Sequence, residues 1–438
     1  MATDPVSRYQ EDIVRGARDL DNWSRSLQVY LEICTHCGIC SQVCHVYQSN
    51  PDSRASPAKR SDLLRSLYHS QATPLGRLFK RYRLTESDLN NWTLDFYKCS
   101  GCRRCAQYCP LGIDNSVITR KARAILHALG KSPQRLVATQ NLIDTFSNDL
   151  GMTYEAFLDA VGFLEQEIRD EKGVEIAIPV DQEADFLFVP PGSDLMTAAE
   201  TLMGCAIFFH AAGLRWTMSS KAFDGSNYGL YTGDEAYTRR KNKVLYDACI
   251  ELKVKTLVMG ECGHAYRVAK RLMPFFWGTL PFQVVSIFTL AEPYIRKGAI
   301  RLDPSANPML VTYHDPCNYT RSCGMVEEPR TVLKACVENF VEMTPNRYEN
   351  WCCGGGGGLA ILDGREGLSA MNGSFHDYRV HTGGKKKLEQ VKRTGADYVA
   401  APCANCKRQL GLLMQHHGMD VQVGGIFDLL GKAAILNH

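Results

Sequence analysis

The sequence predicts a multidomain α+β protein: a helical N-terminal domain, a helical linker and two related α/β repeats. Three observations predict it. A tight cysteine run at residues 34–44 recurs at residues 99–109, with a long helix-patterned insert between the copies. From Ala184 onward, apolar strand-like runs alternate with amphipathic segments, the signature of a parallel sheet. That second pattern occurs twice, which indicates an internal repeat. The resulting division is 1–130 for the helical domain, 131–184 for the linker, 185–308 for the first repeat and 309–438 for the second.

Composition narrows the function. The chain has 438 residues, 45% of them hydrophobic, enough for two or three domains with their own cores. A formal charge of +3 does not call for a polyanion, so nucleic acid is not an expected partner. The segment Met1-Ala2-Thr3-Asp4-Pro5 has no basic and then apolar stretch, so no signal peptide is expected. No uncharged apolar run reaches the ~20 residues of a spanning helix; the longest, at 202–214, contains His210 and reads as a buried helix. Eighteen cysteines without an export signal point to a reducing compartment and metal ligation rather than disulfides.

The first run is Cys34-Thr35-His36-Cys37-Gly38-Ile39-Cys40-Ser41-Gln42-Val43-Cys44, and the second is Cys99-Ser100-Gly101-Cys102-Arg103-Arg104-Cys105-Ala106-Gln107-Tyr108-Cys109-Pro110. Both have the C-x2-C-x2-C-x3-C spacing of a cubane [4Fe–4S] cluster, in which the fourth cysteine of each run ligates the other cluster in two-cluster ferredoxins. One cluster is therefore assigned Cys34, Cys37, Cys40 and Cys109, and the other Cys99, Cys102, Cys105 and Cys44. Zinc sites rarely use four cysteines this tightly spaced. The first run continues into His45 where proline is usual, a departure expected to alter the turn rather than the ligands. The insert has helical spacing at 61–68 and 75–82, and Thr85-Glu86-Ser87-Asp88 marks a helix start; residues 116–129 continue as a helix. This insert is too long for a compact β-hairpin ferredoxin and suits a helical one. Residues 1 to about 30 are expected to form a cover or docking arm, and the acidic stretch at 165–175 a solvated face of the linker.

The two repeats align by strand, loop and helix. Phe186-Leu187-Phe188-Val189-Pro190-Pro191 matches residues 309–316, and Thr256-Leu257-Val258-Met259-Gly260-Glu261-Cys262 matches residues 397–403. Ile287-Phe288 corresponds to Ile426-Phe427, and Cys205 falls near the place of Cys336. Cysteines cluster in the second copy. Trp351-Cys352-Cys353-Gly354-Gly355-Gly356-Gly357-Gly358 joins two adjacent thiols to five glycines, a loop whose backbone passes close to something and whose N–H groups, at Gly354, Gly355 and Gly356, can point at cluster sulfurs. His314-Asp315-Pro316-Cys317 and Pro402-Cys403-Ala404-Asn405-Cys406 each follow a strand-like run, so three loops can bring five thiolates together. The first copy keeps only Cys262 of these: Phe223-Asp224-Gly225 stands in for Cys352-Cys353-Gly354, and Ala265 for Cys406. Two readings stand for His264: a proton donor to a thiolate product, or a packed imidazole beside a buried cysteine. Cys323 reads as a structural thiol, and Cys205, Cys249 and Cys336 as core residues. The basic triplets Arg239-Arg240-Lys241 and Lys385-Lys386-Lys387 read as solvated faces at the starts of matching helices.

The pattern Cys317…Cys352-Cys353-Gly354…Cys403-x-x-Cys406 resembles the cysteine-rich CCG domain of heterodisulfide reductases, and the order of two ferredoxin runs then two CCG repeats is similar to the fused, D-type subunit of those enzymes. The motifs around Cys317, Cys352 and Cys262 look most like the Dsr- and Tmc-type relatives of membrane redox complexes in sulfur metabolism. The resemblance implies a third, noncubane [4Fe–4S] cluster held by Cys317, Cys352, Cys353, Cys403 and Cys406. It implies reduction, or the reverse formation, of a disulfide or trisulfide on a sulfur carrier protein or thiol cofactor. It also implies a haem b membrane subunit and other redox subunits as partners, with the chain cytoplasmic and peripheral on the inner face of the membrane. The gap between Cys353 and Cys403 is longer than is usual in that family, so an insertion is expected after the glycine loop. The rival readings are the iron–sulfur subunit of a glycolate- or glycerol-phosphate-type dehydrogenase, and a non-catalytic electron conduit.

Overall fold

The computed structural model describes residues 24–79, 84–362 and 371–436. The described chain is helical with two parallel four-stranded sheets, an α+β multidomain architecture. It divides into two compact units. One takes in the described residues up to Val137, Tyr228–Glu235 and the described part of Trp351–Lys386; the other takes in Ala138–Asn227, Ala236–Asn350 and the described residues from Lys387 on.

The first unit contains no strand among its described residues. Its longer helices include α1 (Arg25–Glu32), α2 (Pro57–Ala72), α3 (Glu86–Tyr97) and α4 (Asn115–Ala128), with a short helix inside each cysteine run at Ile39–Gln42 and Arg104–Tyr108. The helix starts are written locally. Ser24 caps α1; Ser56 caps α2, with Pro57 at its first position; Asp114 caps α4. Thr85 and Asp88 form a reciprocal capping box on α3, as their spacing predicts. Leu31, Leu64, Leu67, Leu89, Phe96, Ile118 and Ile125 form the core.

The second unit holds both sheets. Strands β1 (Phe186–Val189), β2 (Trp216–Thr217), β3 (Thr256–Met259) and β4 (Gln283–Ser286) lie in the order β2-β1-β3-β4. Strands β5 (Leu310–Tyr313), β6 (Asn339–Glu342), β7 (Tyr398–Ala400) and β8 (Gln422–Gly424) repeat that order as β6-β5-β7-β8. Every pairing is parallel, with Phe186 beside Thr256 and Val311 beside Tyr398. β1, β3, β5 and β7 are almost wholly buried, as central strands of a covered parallel sheet must be. Helices follow the strands at matching places: α5 (Ala199–Ala211), α6 (Gly263–Trp277) and α7 (Ile287–Arg296) in one half; α8 (Cys317–Cys323), α9 (Ala404–His416) and α10 (Ile426–Ala433) in the other. α5 and α10 pack at glycine distance. A Cβ on Gly204 would meet the Phe427 carbonyl oxygen at 1.8 Å, and the matched rings Phe288 and Phe427 lie 5.6 Å apart.

Three expectations meet a different structure. The helix Tyr154–Lys172 is not a solvated linker: Phe157, Val161, Leu164 and Ile168 are buried at helical spacing, and Phe157 stacks on Phe223, while acidic side chains occupy the other side. Lys241 and Lys387 are buried rather than solvated; the Lys241 ammonium donates to the Ser147 carbonyl at 2.6 Å, and Lys387 reaches the Met343 sulfur at 3.5 Å. Residues 351–386, assigned from sequence to the second repeat, group with the ferredoxin-patterned unit, because the glycine loop and the Tyr378 hydroxyl, which donates to the Lys98 carbonyl at 2.5 Å, bind there. The described end of the insertion is the helix Met371–Tyr378, running into a π-turn at Arg379–Gly383. The arm at 1–23, residues 80–82 of the second insert helix and residues 363–370 of the insertion lie outside the described residues.

Candidate iron–sulfur and thiol sites

The two cysteine runs adopt the same backbone. His36 and Gly38 have φ of 57° and 82°, and their counterparts Gly101 and Arg103 have 65° and 63°. A left-handed conformation disfavours side chains, so its recurrence at matched positions, twice on a non-glycine residue, marks a loop wrapped around something. Cys34, Cys37, Cys40 and Cys109 line one cavity, closed by Ile39 and Ile113. Cys44, Cys99, Cys102 and Cys105 form a second group, in which the charges of Cys99 and Cys102 add to burial in raising Cys44 and Cys105. Burial, joined by Cys102 and Cys99, pushes Cys44 up to about 11. Thiols crowded in this way ionise only when a cation takes the charge, so the donor chemistry of both groups fits a [4Fe–4S] cluster.

The Cys352–Cys353 loop stands on the second group. The Cys352 thiol donates to the Ser100 hydroxyl at 3.3 Å, and the ligating atoms of Cys352, Cys102 and His45 all lie within 4.8 Å of one another. The Gly354 N–H points at the Cys352 sulfur at 3.3 Å, and the Gly355 N–H at the Cys353 sulfur at 3.4 Å. The glycine run is explained by what it touches. A Cβ on Gly356 would meet the Ser100 carbonyl oxygen at 2.6 Å, and one on Gly357 the Cys99 carbonyl oxygen at 2.7 Å. Arg123 ties the pieces, donating to the carbonyls of Gly357 at 2.8 Å and Cys99 at 2.6 Å. Trp351 lies under the Arg104 guanidinium, 3.7 Å from it.

In the second unit, Cys317 opens α8 after β5, Cys403 caps α9 after β7, and Cys406 lies in the first turn of α9. The crossover reverses direction between β5 and β7, so these three buried thiols occupy the strand-end crevice where parallel sheets bind ligands. Cys262 caps α6 after β3, the matching place in the other half, and its thiol hydrogen-bonds with Cys403; that bond and burial raise it well above the ordinary thiol range. Asp315 is fixed by the Arg330 guanidinium, at 2.7 and 2.9 Å, and accepts the Arg347 N–H at 2.7 Å. Cys323 closes α8, about 9 Å along the axis from Cys317 by helical rise.

His264 is buried, and its Nε2–H donates to the Asn227 carbonyl at 2.7 Å. Burial pushes its pKa down to about 4, which favours the neutral imidazole. In the first repeat, Asp224 holds the loop that matches Cys352-Cys353, accepting N–H groups of Gly192 at 2.8 Å, Asp149 at 2.9 Å and Ser226 at 2.7 Å. Glu261 caps α10 through the Ile426 and Phe427 N–H groups, both at 2.8 Å, and burial pushes its pKa up to about 8. Sequence reasoning gives no part in a site to His45 or Arg123. Only His45 has a local signal, its place directly after a fourth ligand.

Residues 30–113 match the family described as a 4Fe-4S dicluster domain, and residues 311–411 the one described as a cysteine-rich domain. Both indicate 4Fe–4S clusters. An Hdr-like menaquinol oxidoreductase iron-sulfur subunit 2 from Archaeoglobus fulgidus is 27% identical, covering 98% of this chain and 84% of the relative. The D-type subunit of the dihydromethanophenazine:CoB–CoM heterodisulfide reductase of Methanosarcina acetivorans is 26% identical, covering 95% of this chain and 97% of the relative. An EtfAB:quinone oxidoreductase from Syntrophomonas wolfei is 23% identical, covering 82% of this chain and 52% of its own length. Among the described residues no helix is long and apolar enough to cross a membrane. With its cysteine systems inside the matched segments and almost its whole length aligned to such subunits, this chain is a homologue of HdrD-like iron–sulfur subunits, with a 4Fe-4S dicluster domain followed by a cysteine-rich domain.

Proposed function

We propose that the chain is the disulfide-reducing iron–sulfur subunit of a membrane-linked redox complex. Its first unit is a helical ferredoxin domain with two cubane clusters, held by Cys34, Cys37, Cys40 and Cys109 and by Cys99, Cys102, Cys105 and Cys44. Cys317, Cys352, Cys353, Cys403 and Cys406, all inside the matched cysteine-rich segment, hold a noncubane cluster. When bound, these groups supply one-electron steps and a site for substrate sulfur, so that a disulfide, two electrons and two protons become two thiols. The observation that carries the reading is the contact of Cys352 with Cys102: a thiol of the reducing site lies against a ligand of the second cubane. Ser100 and Arg123 hold that contact in place.

The substrate is the disulfide or trisulfide of a sulfur carrier protein or thiol cofactor. Electrons come from a quinol or haem b membrane subunit, against which the chain sits on the cytoplasmic face. Relatives named as a menaquinol oxidoreductase subunit and a heterodisulfide reductase subunit support this pairing. The first repeat, which keeps only Cys262 of the ligand positions, contributes structure rather than a fourth cluster, since Asp224 spends its carboxylate on three backbone N–H groups. The test is electron paramagnetic resonance of anaerobically purified full-length protein, titrated oxidatively with and without thiols, alongside iron counting. About twelve irons and an oxidised-state signal that changes with thiol are expected. About eight irons and no such signal leave an electron conduit and overturn the catalytic reading.

A further inference from the structure

In the second unit, α6 ends in Phe275-Phe276-Trp277, and these rings are not taken into the core. Phe275 is 71% exposed, and Phe276 and Trp277 are half-buried. Neighbouring rings touch, with centroids 5.4 Å apart for Phe275 and Phe276 and 5.5 Å apart for Phe276 and Trp277. The helix Glu235–Glu251 extends the patch. Its half-buried Tyr246 stacks on Trp277 at 5.3 Å, and Ile250, one turn further along the same face, is 49% exposed. Beneath them Tyr246 rests against the buried Phe282 at 5.6 Å, so the rings are seated before anything meets them. A lone exposed apolar side chain is ordinary, whereas a contiguous aromatic patch marks an interaction surface.

The charge beside the patch has one sign. α6 carries Arg267, Lys270 and Arg271, and the sequence holds no carboxylate between Glu261 and Glu292. Lys270 and Arg271 are exposed. Arg271 lies one turn before Phe275 and Lys270 two turns before Trp277, so both cations share the side of the helix that carries the rings. The Lys270 ammonium donates to the Val284 carbonyl at 2.9 Å, an acceptor that leaves its charge uncancelled. On the helix stacked against α6, Lys243 and Asp247 neutralise each other. Aromatic rings beside lysine and arginine, with no carboxylate between them, suit the headgroup level of an anionic bilayer: the rings enter the acyl boundary and the cations meet phosphates. We infer that Tyr246, Ile250, Phe275, Phe276 and Trp277, together with Lys270 and Arg271, form a surface that rests directly on anionic phospholipid. The inference deepens the membrane-linked placement proposed above and rests on it, and it does not depend on the redox chemistry.

The experiment is flotation of the anaerobically purified full-length protein with vesicles of phosphatidylglycerol and phosphatidylcholine in equal parts. Wild-type protein floats with these vesicles, and added salt weakens the association. Phe275→Ser lowers the ratio of bound to free protein at least ~10-fold, since the transfer energy of a phenylalanine ring is lost. Arg271→Gln lowers it about fivefold, and by less on vesicles of phosphatidylcholine alone. Phe163→Ser removes a 55% exposed ring from a helix that also carries Glu155, Glu165 and Glu167, and binds as wild type does. Brominated lipid quenches the tryptophan fluorescence of the wild type, and the quenching falls in Trp277→Phe. Wild-type protein that stays unbound on pure lipid overturns the inference whether or not any variant folds. So does Phe275→Ser that floats like wild type. Capture by native membranes but not by pure lipid makes the patch a docking surface for a protein, which overturns the lipid assignment and leaves the membrane-linked placement standing. Capture by neither fails that placement as well.

Discussion

Cys352 lies among Cys102, His45 and the Ser100 hydroxyl, a polar, sulfur-rich setting in which a packed core thiol has no reason to be. Cys352→Ala removes a proposed ligand while leaving both runs intact. Loss of partners outside the first coordination shell already costs metal sites ~10–100-fold, so dye-coupled disulfide reduction is expected to fall at least ~100-fold. The thiol-responsive signal disappears in that variant, and the cubane signals and about eight irons remain. Turnover within tenfold of wild type rejects the assignment. His264 makes a different kind of prediction. Its folded pKa of about 4 lies below the ordinary histidine value of about 6.5, so only the unfolded chain takes up the proton between them. Stability is unaffected above about pH 6.5 and declines as pH falls toward 4, by about 1.4 kcal/mol at pH 5.5. His264→Gln is expected to lose that dependence, read as a smaller drop in melting temperature between pH 7.5 and 5.5 than in wild type; equal drops count against it. The proposed ligands are legible in the sequence because their C-x2-C-x2-C-x3-C spacing is that of a [4Fe–4S] cluster. Arg123 is not, because its partner Gly357 lies 234 positions away and nothing local distinguishes it from a surface arginine.

Elements show how close packing and propensity oppose each other at glycine. Gly204 on α5 faces the Phe427 carbonyl, and a methyl group there would sit at 1.8 Å from the oxygen, so Gly204→Ala forces α5 and α10 apart. Overpacking of this kind costs about 1–3 kcal/mol. Gly162, exposed within Tyr154–Lys172, has nothing within 4 Å, and Gly162→Ala is expected to stabilise by about 0.5–1 kcal/mol through helix propensity alone. Thermal melting of the two variants in parallel checks both signs; a stabilised Gly204→Ala means the helices have room that the packing denies. At this scale much was readable in advance. The caps at Thr85 and Asp88, the four central strands and the helix after 199 follow from local chemistry and period. The helix Tyr154–Lys172 is expected, but its buried face is obscured because acidic residues dominate the composition while only every third or fourth side chain is apolar. Lys241 and Lys387 mislead for a related reason: a long apolar stem lets a lysine be buried when its ammonium finds an acceptor, and no neighbour in sequence announces the acceptor.

The whole molecule combines a cysteine-stapled helical unit with a pair of conventional parallel sheets, and the two should respond differently to loss of iron. The first unit has no strand among its described residues, and its cysteine runs are held in left-handed turns at His36 and Arg103 that cost energy unless a bound group fixes them. Binding free energy of such a site is also folding free energy. The second unit buries β1, β3, β5 and β7 in continuous apolar cores, and its three proposed ligands stand at strand ends rather than within the sheets. Anaerobic removal of iron with a chelator, followed by hydrogen exchange and mass spectrometry, is expected to reduce protection at least ~100-fold across the turns at 34–44 and 99–109 and across α4. The four central strands keep their wild-type exchange, and loosening in the second unit is confined to the starts of α8 and α9. Uniform loss across both sheets places iron binding upstream of the folding of the entire chain. Loss in neither unit means that the strained turns are stable unaided, which removes the physical ground for reading them as cluster loops.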